Sequence, residues 1–203
     1  MTITSIRQIS PGRLKVCFDD ESEIKTTLSV VTDMRLYSGR DLDEETMELL
    51  RLSSSRALAR EKALEMLSRR PMSYKELRDK LIGKGEDEET AEYCAQWLED
   101  NGFINDESYA AAIARHYGAK GYGAGRVRAE LSRRGINREY WDEAIESMPE
   151  PDSKIDKFIS ARLNDPEDRE QIRKISNALY RRGYSWDEIR SALRRFQAQT
   201  EEY

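Results

Sequence analysis

Cysteine and histidine are nearly absent from this 203-residue sequence, which has two of the former, Cys17 and Cys94, and one of the latter, His116. The two cysteines lie far apart, one in a predicted strand and one in a predicted helix, so neither a disulfide framework nor a metal-ligand spacing follows. A lone histidine at the end of a predicted helix is a dipole partner or a surface residue before it is a catalyst. No stretch approaches the ~18 apolar residues of a membrane span. The opening segment MTITSIRQISPGR lacks the apolar centre of a secretory signal, and a cytoplasmic location is expected. An excess of positive charge is also missing. The net charge of −5, from 34 basic and 39 acidic residues, argues against a chain that coats nucleic acid through bulk charge. The acidic excess sits early, with 16 basic against 22 acidic residues through position 106 and 18 against 17 afterwards, so any basic face in the second half is local. Nothing combines a nucleophile, a base and an oxyanion site, and no enzymatic activity, cofactor or metal is expected.

Hydrophobic residues are scarce at 38%, against 36% charged, the balance of small cores stacked side by side rather than one large core. Disorder does not follow, because 10 Tyr, 3 Trp and 4 Phe are spread through periodic apolar patterns. In residues 1–30 the isoleucines Ile3, Ile6 and Ile9, the turn Ser10-Pro11-Gly12-Arg13 and the alternation of Leu14, Val16 and Phe18 predict a β-hairpin. Ile24 to Val31 is either a third strand or leads into a short helix over Leu28 to Leu36. From Asp43 to Arg69 the period becomes helical, with Met47, Leu50, Leu58, Leu64 and Leu67 among charges. The run Ser53-Ser54-Ser55 leaves one kinked helix or two helices open.

The chain then repeats. Leu81-Ile82-Gly83-Lys84-Gly85, Leu131-Ser132-Arg133-Arg134-Gly135 and Leu179-Tyr180-Arg181-Arg182-Gly183 share the pattern Leu-x-x-basic-Gly at intervals of 50 and 48 residues. Six residues after each glycine come Ala91, Trp141 and Ile189, and nine after come Cys94, Ala144 and Ala192. Each copy reads as a helix, a glycine in the left-handed C′ position and a second amphipathic helix, with the basic residue at the negative end of the first. Capping boxes Ser73/Glu76 and Ser185/Glu188 start two of the helices, and Asp165-Pro166-Glu167-Asp168 starts another. A further helix precedes each pair, at about 56–69, 106–118 and 153–163. The predicted fold is therefore mainly α, with three tandem three-helix repeats in an elongated curved array behind a small N-terminal strand-rich extension. The expected domains are 1–52, 53–105, 106–149 and 150–203. The prolines of Met148-Pro149-Glu150-Pro151 mark the expected hinge, and the third module is expected to move independently.

The stretch Lys120-Gly121-Tyr122-Gly123-Ala124-Gly125-Arg126-Val127-Arg128-Ala129-Glu130-Leu131-Ser132-Arg133-Arg134-Gly135-Ile136 resembles the middle motif of the RecX family. Leu77, Leu81, Lys84, Gly85, Ala95, Leu98 and Gly102-Phe103-Ile104-Asn105-Asp106 with Tyr109 and Ala110 resemble its first repeat. The likeness covers residues 56–148 closely and 154–196 more loosely. One departure is Glu86, where the family carries an apolar residue after the first glycine. The resemblance implies a regulator that binds the RecA recombinase filament on single-stranded DNA and modulates, mostly inhibits, its ATP hydrolysis and strand exchange in DNA repair and recombination.

Gly121, Gly123 and Gly125 are spaced like part of a phosphate loop, but a helix rather than a strand precedes them, so they are expected to form a flexible inter-helix turn with Tyr122 as anchor. Trp97, Trp141 and Trp186 are expected in cores or between modules. The candidate residues for contacting the recombinase or DNA phosphates are Arg78, Lys80, Lys84, Lys120, Tyr122, Arg126, Arg128, Arg133, Arg134, Arg181, Arg182, Arg194 and Arg195, taken as one broad basic surface. Taken singly, each of these arginines and lysines is also a plausible solvated charge at a helix end. The expected partners are a RecA-type filament and single- or double-stranded DNA, with the chain a monomer. The rival functions are a helix-turn-helix-like regulator of duplex DNA, against which the net acidity counts, and a protein-binding scaffold.

Overall fold

The computed structural model describes residues 1–150 and 152–201. Three antiparallel strands, β1 (Ile3–Ser10), β2 (Arg13–Phe18) and β3 (Glu23–Thr27), form a sheet in the order β1-β2-β3. Pro11-Gly12 makes the first hairpin, with Gly12 at φ 76, a backbone region that glycine enters without a Cβ clash. Both readings of residues 24–36 hold in succession, because β3 runs directly into α1 (Leu28–Asp33), whose N-cap Thr27 accepts from the Val30 amide.

Helix α2 (Glu44–Arg69) is continuous through the serine run. The middle serine does not compete for its own backbone, because buried Ser54 donates its hydroxyl to Thr26 on β3 at 2.8 Å. The first half of α2 packs Met47, Leu50 and Ala57 against Ile3, Val16 and Phe18 of the sheet. Its second half offers Ala59 and Ala63 to α3 (Tyr74–Gly83) and α4 (Glu88–Asp100), whose Leu77, Leu81, Cys94 and Leu98 are buried with them. One helix thus serves both the sheet and the first repeat.

The second repeat consists of α5 (Asp106–Ala119), α6 (Ala124–Arg133), a short 3-10 turn (Arg138–Tyr140) and α7 (Trp141–Glu146), around Ala110, Ile113, Val127, Leu131 and Ile136. The third consists of α8 (Asp152–Ser160), α9 (Arg169–Arg181) and α10 (Trp186–Glu201), around Ile155, Ile159, Leu179 and Ile189. The chain divides into two compact units, Met1–Ile104 and Asn105–Tyr203.

The recurring Leu-x-x-basic-Gly is a Schellman cap in all three copies. Gly85, Gly135 and Gly183 have φ of 94, 67 and 92. In each copy the amide after the glycine returns to the leucine carbonyl: Glu86 to Leu81 at 3.1 Å, Ile136 to Leu131 at 3.1 Å and Tyr184 to Leu179 at 3.3 Å. The leucine is therefore both a core residue and the acceptor that closes the helix. Ile136 and Tyr184 add apolar contact with that leucine inside their modules. Glu86 cannot do so, and its half-buried carboxylate instead pairs with Lys62 on α2.

Both capping boxes form, at Ser73/Glu76 and at Ser185/Glu188. The predicted start at Asp165 is corrected. Asp165 accepts from the Glu167 amide at 2.9 Å in a turn, and the helix begins only where Asp168 caps the amides of Glu170 and Gln171. Asp168 accepts from two helical amides where Asp165 accepts from one in a turn, and it is Asp168 that caps the helix. Of the proline break, Pro151 lies outside the described residues.

Candidate functional site

The glycines at the start of α6 are not a flexible turn. An α-helix leaves unpaired amides at its N-terminus and unpaired carbonyls at its C-terminus, and here one end satisfies the other. The Gly123 amide donates to the Arg182 carbonyl at 3.0 Å, and the Gly125 amide to the Gly183 carbonyl at 2.9 Å. The start of α6 in the second repeat thus docks on the end of α9 in the third, positive dipole end against negative.

The approach is so close that only glycine fits. A Cβ on Gly123 would lie 2.5 Å from the Gly183 carbonyl oxygen, and one on Gly183 would lie 2.2 Å from the Arg126 amide nitrogen. The expectation that the third repeat moves independently is therefore corrected, because its cap glycine is bonded to the second repeat. Tyr122 does act as an anchor, half-buried against Tyr117 with ring centroids 5.5 Å apart and with the Arg182 guanidinium 5.8 Å from its own ring centre.

This junction carries an open groove of ≈ 610 Å³ along the first turns of α6 and the end of α9. Arg126 and Arg128 line it from α6 and Arg181 from α9. Arg126 and Arg181 are exposed, with no hydrogen bond or ion pair to a side chain among the described residues. Arg128 reaches only Asp142, at 4.0 Å and in solvent, a contact of little energetic weight. Tyr180 lines the groove too, and its ring stacks on Trp186 at 5.1 Å with 19° between the planes. Both aromatics are open to water, 54% and 48% exposed, so Trp186 is corrected from a core residue to a surface one. Its place at the first position of α10 explains this, since the buried stripe of that helix begins at Ile189.

Several of the other candidates are held in ion pairs within their own unit. Arg133 and Arg134 both bind the carboxylate of buried Glu130, at 2.6 and 2.7 Å, and Arg134 also meets the Tyr109 hydroxyl and ring. Hydrogen bonding from Arg133, with help from Tyr117 and Arg126, holds the Glu130 carboxyl below the usual carboxylate range despite its burial. These two arginines anchor α6 internally. Arg195 is likewise held by Asp156 at 2.8 Å, and Arg78 by Glu92 and Asp79. Arg194 is exposed on α10.

In the first unit Lys80 and Lys84 line a groove of ≈ 650 Å³ with Arg69, Arg70, Met66 and Met72. A second recess in that unit, ≈ 880 Å³, sets Glu44, Glu48, Asp87 and Glu89 against Arg51 and Met1, whose ammonium is paired with Asp41, and suits no anion. Lys120 and Arg182 belong to a separate recess of the second unit, which also contains Lys154, Lys157 and Phe158, residues that the sequence reading did not single out. The signal for those two lysines, three apart on one face of α8, was present, but it had no partner until α9 was placed beside it. Among the described residues no helix is long and apolar enough to cross a membrane.

Three family models match the chain in tandem. They are the first three-helix domain of RecX over residues 59–98, the second over 105–145 and the third over 161–193. The regulatory protein RecX of Xanthomonas axonopodis pv. citri (strain 306) is 35% identical over 138 residues, covering 66% of this chain and 85% of that protein. That of Clostridium botulinum (strain Alaska E43 / Type E3) is 23% identical over 201 residues, covering 96% of this chain and 94% of the relative. Among solved structures, a regulatory protein RecX superposes with a TM-score of 0.74 at 25% identity, over 92% of this chain and 96% of the other. The RecX of Lactobacillus salivarius superposes with a TM-score of 0.63 at 23% identity, over 71% and 97%.

Proposed function

The chain belongs to the RecX family of regulatory proteins, and from that premise we propose that it binds a RecA-type recombinase filament on single-stranded DNA and damps its ATP hydrolysis and strand exchange. The observation that carries this reading is the groove at the junction of the second and third repeats, where Arg126, Arg128 and Arg181 stand beside the exposed Tyr180–Trp186 stack. Tyr, Trp and Arg are the side chains on which binding energy concentrates at protein interfaces. An exposed aromatic pair has apolar area to remove from water when a partner covers it. The three arginines select a partner surface rich in carboxylates or phosphates, which a filament of protein wound on DNA presents.

Regulation by binding also suits the local construction. The groove is framed by two helix ends locked together through backbone hydrogen bonds, so the backbone that presents its arginines is already ordered and association has only the side chains left to immobilise. The rival reading, a regulator of duplex DNA, is disfavoured by the internal ion pairs that hold Arg78, Arg133, Arg134 and Arg195 and by the acidic first half of the chain.

The test is ATP hydrolysis by a RecA-type filament on single-stranded DNA, titrated with this protein. Hydrolysis falls as the protein is added, and charge reversal at Arg126, Arg128 and Arg181 together relieves the inhibition. Unchanged hydrolysis at a stoichiometric amount refutes the proposal. Sequence-selective duplex binding with steep salt dependence, in place of filament inhibition, transfers the function to the rival class.

A further inference from the structure

On the other side of the cap of α9, a small recess of ≈ 250 Å³ is lined by residues of three elements: the end of α5 with Lys120, the outer face of α8 with Lys154 and Lys157, and the end of α9 with Arg182. Four cations converge there, and no carboxylate lines the recess. None of the four has an ion pair with an acidic residue among the described residues, whereas Arg133, Arg134 and Arg195 of the same unit all do.

The positive charge is not used up by helix dipoles. A helix C-terminus carries roughly half a negative charge. Two helices end near the recess, but the carbonyls at the end of α9 already accept hydrogen bonds from the amides of α6. About half a unit of negative charge from α5 therefore stands against four full positive charges, and repulsion among them favours a multivalent anion in their midst.

Phe158 lines the recess, and its ring already holds two guanidinium groups, Arg182 at 4.7 Å and Arg162 at 4.0 Å. Those contacts and Tyr122 hold the Arg182 guanidinium in place. The volume lies below the ~300–1,000 Å³ of sites that engulf drug-sized ligands, and it is sufficient for linked phosphoryl groups.

We propose that the recess bounded by Lys120, Lys154, Lys157 and Arg182 is a phosphate site that takes linked phosphoryl groups, the chemistry shared by a free oligophosphate and a nucleic-acid backbone. Because its walls belong to both the second and the third repeat, an anion bound there clamps the two together. The site is independent of the arginine groove and of recombinase binding, and it is tested without a recombinase.

The experiment is isothermal titration of the full chain at low salt with inorganic tripolyphosphate, with a thymidine oligonucleotide and with the same oligonucleotide carrying a 5′-phosphate. The double variant Lys154→Gln/Lys157→Gln is compared with the control Lys25→Gln/Lys174→Gln, which removes the same charge elsewhere. Tripolyphosphate binds, raises the melting temperature of the unit that holds the recess, and binds at least tenfold more weakly to the first variant but normally to the control. Binding of the oligonucleotides alone, with the same loss in the variant, assigns the phosphoryl groups to a nucleic-acid backbone. A gain in affinity from the 5′-phosphate places a terminal phosphate in the recess. No binding of any probe at millimolar concentration, or equal weakening in both variants, overturns the site.

Discussion

Gly85 and Gly183 occupy the same position in two copies of one motif, and replacing each by alanine separates the cost of the cap from the cost of the junction. Both have φ above 90, so alanine at either site incurs the left-handed penalty of about 1 kcal/mol. At Gly85 nothing more is added, because a Cβ there has no neighbour within 4 Å. At Gly183 the Cβ would lie 2.2 Å from the Arg126 amide nitrogen and 3.0 Å from its Cα, both backbone atoms, so α6 and α9 must separate. Separation breaks two backbone hydrogen bonds, each contributing about 1 kcal/mol net. Gly183→Ala is therefore expected to cost about 3 kcal/mol, the sum of cap and junction, against about 1 kcal/mol for Gly85→Ala.

For a unit the size of Asn105–Tyr203, 3 kcal/mol lowers the melting temperature by roughly 12–24 °C. Urea denaturation read by hydrogen-exchange mass spectrometry reports the two units separately. Gly183→Ala is expected to loosen α6 and α9 while leaving α2 to α4 protected. Equal losses from the two substitutions refute the docking argument and reduce the glycine to an ordinary cap.

Glu130→Gln is expected to lower the stability of the second unit by about 2 kcal/mol at neutral pH, since two charge-assisted hydrogen bonds weaken. The native carboxyl has its pKa lowered, so its contribution is complete above the ordinary glutamate range and vanishes as the pH falls through the lowered value. Urea midpoints of wild type and variant are thus expected to differ at pH 7 and to converge in acid. A gap that persists in acid contradicts this. Ser73→Ala, which removes a buried hydroxyl that caps the Glu76 amide at 3.1 Å, is expected to cost about 1 kcal/mol in the first unit alone, measured in the same way. Cys94 is buried and its thiol is pushed up to about 11 by desolvation, so a maleimide is expected to modify Cys17 first and Cys94 only on unfolding. Rapid labelling of Cys94 in the native chain contradicts its placement.

What could be read in the sequence was whatever a few neighbouring residues decide. Leu131, Arg134 and Gly135 specify a helix end through one local hydrogen-bond pattern, and Ser185 with Glu188 specifies a start, so the repeats could be located before any contact was known. Glu130 lies three and four residues before Arg133 and Arg134, so their pairing was within reach of helix geometry. Treating the arginines as a surface set missed it. Other features depend on pairs distant in sequence. Gly123 needs Gly183, sixty positions on, to explain why it must be glycine. Arg195 is taken by Asp156, and Lys154 and Lys157 acquire meaning only when α9 brings Arg182 to them. The exposure of Trp186 is set by its step off the buried stripe of α10, a matter of one helical turn that periodicity cannot resolve at a helix start.

The most direct test of the regulatory proposal is co-sedimentation of this protein with RecA-type filaments assembled on single-stranded DNA, comparing wild type with Arg126→Glu/Arg128→Glu/Arg181→Glu and with Arg133→Gln. Wild type and Arg133→Gln are expected to pellet with the filament, while the triple variant, folded by circular dichroism, stays in the supernatant. A triple variant that pellets as fully as wild type contradicts the assignment of the groove, and a wild-type protein that never pellets contradicts the filament as its partner.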